Sequence, residues 1–295
     1  MASFNKIVII GGGVMGQGIA RVIAGTGTNV VLVDKDLQLA THAHDEIGDR
    51  LDREIERWGI TESEKKAILS RITPAGDYRP AKDAPMVIEA IQEDLEAKKL
   101  LLAHLDHICR DDTVIVSNTS TLSITELAAA TSRPQNIIGL HFLNPVHKVP
   151  VVEIVRGLKT SESTVQTIRD FADLLNKTPV MVHEYPGYVT TRIIVPFLNE
   201  AMHVLMEGIA SAEDIDTAMK LGFGFNMGPL SLADMMGLDE VMSWMENLLD
   251  ELSEHKYNPC PLLRKMVRAG QLGVKTGQGF FRYDADGNKI KEEKE

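Results

Sequence analysis

The sequence predicts an α/β dinucleotide-binding domain of Rossmann type, carrying a helical hairpin insertion, followed by an all-helical C-terminal domain. Three observations carry this. Short apolar runs alternate with helical patterns in the first part of the chain, as in a parallel sheet covered by helices. The first run, Ile7 to Ile10, opens onto Gly11, Gly13 and Gly16 in G-x-G-x-x-G spacing. Beyond Tyr185-Pro186-Gly187 the strand patterns stop and helical ones follow, which puts the domains at residues 1–184 and 185–295.

Each glycine of the first turn has a task. Gly11 permits the sharp exit from the strand. Gly13 leaves room for a pyrophosphate. Gly16 lets helix and strand pack closely. Val14 and Met15 begin the helix, whose N-terminal N–H groups and partial positive charge suit an anion. A second apolar run, Asn29 to Val33, ends in Asp34. An acid there accepts from both ribose hydroxyls and repels a 2′-phosphate, so NAD is expected over NADP, with Lys35 the one basic neighbour.

A net charge of −11 excludes broad attraction to nucleic acid or anionic lipid. Any anionic ligand must meet a local basic patch. Two cysteines, Cys109 and Cys260, build no disulfide framework. No signal peptide precedes the first strand, and no apolar run is long enough to span a membrane. A cytoplasmic protein is expected. The charged tail Lys289 to Glu295 is expected to fray.

From Leu37 to about Gly59 the pattern is helical and charged. Arg50, Arg53 and Arg57 share one face, either a solvated surface interleaved with Asp49, Asp52, Glu54 and Glu56, or a phosphate clamp. Glu62 to Ser70 completes the hairpin. Met86 to Ile88 is a buried strand ending at Glu89, and the helix after it holds Glu93 and Asp94 in its first turn. Thr113 to Val116 runs into SNTSTLSITELA, where Ser123 and Glu126 suit a capping box. The hydroxyl cluster Ser117 to Ser120 has no such account, and strand carboxyl ends are where ligands bind in open α/β sheets.

Ile137 to Leu140 is a strand ending at His141. A two-proline connection leads to VVEIV, whose alternation places Glu153 among valines. A carboxylate there needs a partner, and His141 is the nearest candidate. The pair suits alcohol oxidation: His141 takes the hydroxyl proton, Glu153 fixes the imidazole tautomer, and Ser120 hydrogen-bonds the reacting oxygen. Glu162 to Leu175 and Thr178 to Val182 close the first domain. Helices follow at about Gly187–Glu207, Ser211–Leu221, Pro229–Asp234, Leu238–Leu252 and Pro259–Ala269, with Pro229 and Pro259 suiting first turns. The methionines between Met227 and Met245 read first as core. LGVKTGQGFF reads as a glycine loop presenting Lys275.

These parts together resemble the short-chain L-3-hydroxyacyl-CoA dehydrogenases over nearly the whole chain. The resemblance rests on IGGGVMGQGIA, VIEAIQEDLEAKK, SNTSTLSIT, GLHFLNPV with VVEIV, PGYVTTR, EDIDTAMKLG with MGPLSLADMMGLD, and LGVKTGQGFF. It implies NAD as cofactor and an acyl-CoA substrate. It also implies a homodimer formed through the helical domain. Carried over, it makes His141 the base, Glu153 its partner and Ser120 a contact to both substrate and cofactor. Asn118, Asn144, Glu93, Lys98 and Lys275 become cofactor contacts, and Arg53 and Arg57 face the CoA phosphates. Two departures bear on the acyl pocket. Thr191 stands where the pattern P-G-F-x-x-N-R has Asn, and His147-Lys148-Val149-Pro150 replaces an apolar run and a lysine. A free hydroxy acid as substrate, or a non-catalytic NAD-binding role, are the competing readings.

Overall fold

The computed structural model describes residues 4–56 and 58–290. The chain divides into two compact units, the first running to Tyr188 and the second starting at Val189.

The first unit is built on an eight-stranded sheet: β1 (Lys6–Ile10), β2 (Asn29–Val33), β3 (Ile72–Ala75), β4 (Met86–Glu89), β5 (Val114–Ser117), β6 (Ile137–Phe142), β7 (Val151–Arg156) and β8 (Thr178–His183). Its helices are α1 (Val14–Gly25), α2 (Leu37–Glu56), α3 (Glu62–Leu69), α4 (Leu95–Ile108), α5 (Ile124–Ala129) and α6 (Glu162–Leu174). The spatial order is β3-β2-β1-β4-β5-β6-β7-β8. The first six strands are parallel, β7 runs antiparallel to β6, and β8 runs parallel to β7. Chain length explains the reversal. Only residues 143–150 join β6 to β7, too few for a parallel crossover, whereas α6 carries the chain from β7 to β8.

Alternation along β1 sends Ile7 and Ile9 to one face and Val8 and Ile10 to the other. The first face packs on α1, α2 and α6 through Ile19, Ile23, Ile47, Leu51, Ile168 and Phe171. The second packs on α4 and α5 through Leu101, Leu102, Leu105, Ile124 and Leu127. Strand order reverses between β1 and β4, so their carboxyl ends flank the crevice where ligands of such sheets bind.

The second unit comprises α7 (Thr190–Met206), α8 (Ala212–Phe223), α9 (Pro229–Met236), α10 (Leu238–Leu252) and α11 (Pro261–Arg268). They close around Val195, Leu198, Met202, Leu230, Val241, Met245, Tyr257 and Leu263. Two buried carboxylates tie its turns. Asp216 accepts from the backbone N–H groups of Leu230 at 2.8 Å and Ser231 at 3.0 Å. Asp234 accepts from Phe280 N–H and Phe281 N–H, each at 2.9 Å, and from the Tyr283 hydroxyl at 3.0 Å. Burial pushes the Asp234 carboxyl up to about 6, against the pull of those donors. Among the described residues no helix is long and apolar enough to cross a membrane.

Several expectations need correction. The edge strand β3 is unforeseen, because Pro74 breaks its apolar run and a proline is tolerated only at such an edge. The helix expected from Gly187 begins at Thr190, since Gly187 and Tyr188 both hold positive φ, at 78° and 51°. Pro261, not Pro259, occupies the first turn of α11. Glu93 lies outside α4, whose N-cap is Asp94, accepting from Ala97 N–H at 2.8 Å. Ser123 does cap α5, but Glu126 turns to Lys99 instead of closing a box. The start of the charged tail is held: Lys289 pairs with Glu213 at 2.9 Å and lies over the Phe281 ring. Residues 291–295 and Arg57 lie outside the described residues.

Candidate active site

The glycine turn is shaped as its spacing demands. Gly11 has φ 109°, and a Cβ there would lie 2.4 Å from the Ala90 carbonyl oxygen. A Cβ on Gly16 would lie 1.8 Å from the Gly11 carbonyl oxygen, so only glycine lets α1 approach β1 this closely. A Cβ on Gly13 would meet nothing, and Gly13 caps α1 without a side-chain bond. The first N–H groups of the helix, around Val14 and Met15, thus face open space where an anion fits. Asp34, at the end of β2, accepts from Gly12 N–H at 2.7 Å and from Lys35 N–H at 2.7 Å. One carboxylate therefore closes the turn and borders the open space. These residues fit a dinucleotide. Gly12 was not singled out from the sequence, although the position between two motif glycines is the available signal.

Across the switch point, β4 ends in a buried ionic cluster. Lys98, on α4, is fully buried and reaches Glu89 at 2.6 Å, the Ile91 carbonyl at 3.3 Å and Glu93 at 3.5 Å. Glu89 also accepts from Ile91 N–H at 2.8 Å and from the Ser117 hydroxyl at 2.6 Å. Glu93 accepts from the Thr119 hydroxyl at 2.5 Å and from the backbone N–H groups of Ser120 at 2.8 Å and Thr121 at 3.1 Å. The cluster therefore shapes the loop that carries Ser120. Asn118 uses its side-chain oxygen to accept from Phe142 N–H at 3.1 Å, linking that loop to β6.

His141 sits on β6 directly opposite Glu153 on β7. The antiparallel pairing places both side chains on one face at cross-strand distance. His141 Nδ1 lies 2.7 Å from Glu153 Oε2, and both side chains are buried. A carboxylate is an acceptor, so Nδ1 carries the proton and Nε2 is left as the basic nitrogen. The Tyr188 ring flanks the imidazole at 5.7 Å between centroids, inclined 58°.

Asn144 is exposed, in the connection after β6. That connection is pinned at three places. Lys177 donates to the carbonyls of Val146 and Val149, each at 2.6 Å. Val146 packs against Gly18 of α1. His147 pairs with Glu54 at 3.2 Å, beside the Arg21–Glu54 pair at 2.5 Å. Burial and the Arg21 charge hold His147 below its usual range, with Glu54 opposing. Burial penalises the Glu54 charge, and the Arg21 guanidinium more than offsets it. His147, expected to alter the acyl pocket, is thus engaged by α2. On α2, Glu54 is engaged as described and Asp52 pairs with Lys65 at 2.5 Å, while Arg53 is exposed in the last turn.

Two further candidates belong to the second unit. Thr191 is buried in the first turn of α7. Lys275 pairs with Asp239 at 2.6 Å, next to Gly237. Among the described residues no group of three or more His, Cys, Asp or Glu side chains is placed to hold a metal ion.

Residues 6–185 match the 3-hydroxyacyl-CoA dehydrogenase NAD-binding domain, and residues 187–283 match the C-terminal domain of the same enzymes. The chain belongs to the 3-hydroxyacyl-CoA dehydrogenase family. A probable 3-hydroxybutyryl-CoA dehydrogenase of Bacillus subtilis is 44% identical over 280 residues, 95% of this chain and 98% of that protein. The 3-hydroxybutyryl-CoA dehydrogenase of Clostridioides difficile is 42% identical over 95% of this chain and 99% of its own length. The crystal structure of (S)-3-hydroxybutyryl-CoA dehydrogenase from Ralstonia eutropha superposes with TM-score 0.86 at 43% identity, covering 96% of this chain and 100% of that one. This 3-hydroxyacyl-CoA dehydrogenase is an NAD-dependent oxidoreductase.

Proposed function

We propose that the chain interconverts a short (3S)-3-hydroxyacyl-CoA, such as 3-hydroxybutyryl-CoA, and the 3-oxoacyl-CoA, with His141 as the base. The observation that carries the reading is the buried His141–Glu153 pair at 2.7 Å, in a unit whose glycine turn fits a dinucleotide. Gly11, Gly13, Val14, Met15, Gly16, Asp34, Lys35, Asn118, Asn144 and Lys275 are the residues that would hold NAD, which supplies the hydride acceptor when bound. Lys98, expected as a cofactor contact, is instead fully buried against Glu89, and with Glu93 it acts on that site by shaping its loops.

His141 takes the 3-hydroxyl proton at Nε2. Glu153 accepts from Nδ1–H and stabilises the imidazolium that results. Ser120 hydrogen-bonds the reacting oxygen, in a loop set by Glu93. In the reverse direction protonated His141 donates to the ketone oxygen. Thr191 offers a further hydroxyl donor to the substrate. Arg53, exposed in the last turn of α2, contacts the CoA phosphates. We also propose a homodimer through the helical unit, supported by exposed Leu221, Phe223 and Phe225, an apolar surface of the kind that pairs. A cytoplasmic location is supported by two free, buried cysteines.

The test is steady-state turnover of acetoacetyl-CoA with NADH. His141→Ala should lose about 10²–10⁴-fold in kcat, the range for a positioned acid–base group, with NADH affinity unchanged. Near-normal turnover in that variant removes His141 from the chemistry.

A further inference from the structure

Tyr188 is the last residue of the first unit, and its position is unusual in three respects. Its backbone is left-handed, at φ 51°, a conformation a bulky residue adopts only when its surroundings impose it. Its side chain is buried, and its ring lies on the flank of the His141 imidazole. Its hydroxyl donates to the Leu122 carbonyl at 3.0 Å. We propose that Tyr188 is a positioning residue for the reaction, which holds the His141 ring in plane and couples it to the loop that carries Ser120. The inference rests on His141 being the base.

Two contacts define where Nε2 points. The Nδ1 bond to Glu153 fixes one nitrogen, but a single hydrogen bond leaves the ring able to swing about it. An aromatic ring at 5.7 Å, inclined 58°, limits that swing from the side. The same ring is itself anchored, through its hydroxyl, two residues beyond Ser120. Glu93 holds the other side of that loop through the Ser120 and Thr121 N–H groups. The base and the hydroxyl that share the substrate oxygen are thus referred to one rigid frame. Burial, with the negative charges of Glu93 and Glu184, pushes the phenol well above its usual range, so the anchor remains a donor.

The test uses the full-length protein with acetoacetyl-CoA and NADH, comparing wild type, Tyr188→Phe, Tyr188→Leu and His141→Ala. Tyr188→Phe keeps the ring and loses the anchor. Its kcat should fall about 2- to 10-fold, the worth of one net hydrogen bond, with KM and NADH affinity within about twofold of wild type. Tyr188→Leu should fall further, and the limb of its kcat/KM–pH profile belonging to His141 should move. Two results overturn the inference: both Tyr188 variants keeping wild-type kcat and pH profile, or the loss appearing in NADH affinity instead of kcat. If His141→Ala itself keeps turnover, the failure lies in the assignment of the base. If His141→Ala is inactive and the Tyr188 variants are normal, only the positioning role fails.

Discussion

Replacing Lys98 with Met keeps the length and apolar stem of the side chain and deletes the ammonium. Glu89, fully buried, would then keep Ile91 N–H at 2.8 Å and the Ser117 hydroxyl at 2.6 Å as donors, but no cation. Glu93, 17% exposed, keeps its donors from the 119–121 loop and some water. Glu89 therefore sets the loss. Removing one partner of a buried ion pair costs about 3–5 kcal/mol, because the remaining charge is uncompensated. That is a large share of the roughly 5–15 kcal/mol by which a folded protein is stable. Lys98→Met with Glu89→Gln removes both charges, keeps an oxygen for Ile91 N–H, and should recover most of the loss. Urea unfolding followed by circular dichroism at neutral pH would measure all three proteins. A single variant within about 1 kcal/mol of wild type, or a double variant no better than the single, refutes the reasoning.

Three more outcomes are expected. Asp34→Ala should weaken NADH binding and narrow the preference over NADPH, because the carboxylate closes the glycine turn and, in the proposed cofactor site, would accept from the ribose; fluorescence titration with each cofactor checks this. Asp234 has a folded-state pKa raised to about 6, so its contribution to stability is full at pH values below about 4 and is lost as pH rises through 6. The difference amounts to about 3 kcal/mol at most, and the change in stability across that window should be missing in Asp234→Asn when unfolding is measured at several pH values. Thr191→Val deletes a buried hydroxyl while keeping the shape; kcat/KM on acetoacetyl-CoA should fall by up to about 10²–10³-fold if the hydroxyl meets developing charge, and a wild-type value shows that it has no catalytic part.

The strand–turn–helix start of the chain was legible because its glycines are required by backbone geometry, which a sequence displays directly. Gly11 needs its φ of 109°, and Gly16 leaves no room for a Cβ. The His141–Glu153 pair was legible for another reason: a carboxylate alternating with valines declares a buried partner, and the short connection after β6 forces the two strands to face. The Lys98 cluster was only half legible. Lys98 and Glu93 follow from the family resemblance, while Glu89, the residue that completes the cluster, reads in the sequence only as a strand end. Its signal was there, as an acid closing a run of buried apolar residues. Tyr188 could not be found this way, since neither its left-handed backbone nor its place beside His141 follows from local spacing. Strand β3 was hidden by Pro74, whose missing N–H is harmless only where no neighbouring strand needs it.

Acids at strand ends and turns, buried or half-buried, share one use that periodicity does not reveal. Asp34 accepts from Gly12 N–H, Glu89 from Ile91, Glu93 from Ser120 and Thr121, and Glu184 from Thr125. In the helical unit Asp216 and Asp234 do the same for Leu230, Ser231, Phe280 and Phe281. Backbone N–H groups in turns have no ladder partner and must still be satisfied when buried. A carboxylate satisfies two or three at once, because it has two oxygens and accepts only. The loops around the crevice are thereby fixed by side chains of the protein itself, so the geometry that a ligand meets exists before it arrives. An amide would not substitute at Glu93: one oxygen could keep the N–H groups of Ser120 and Thr121, but its NH₂ would replace the oxygen that faces Lys98.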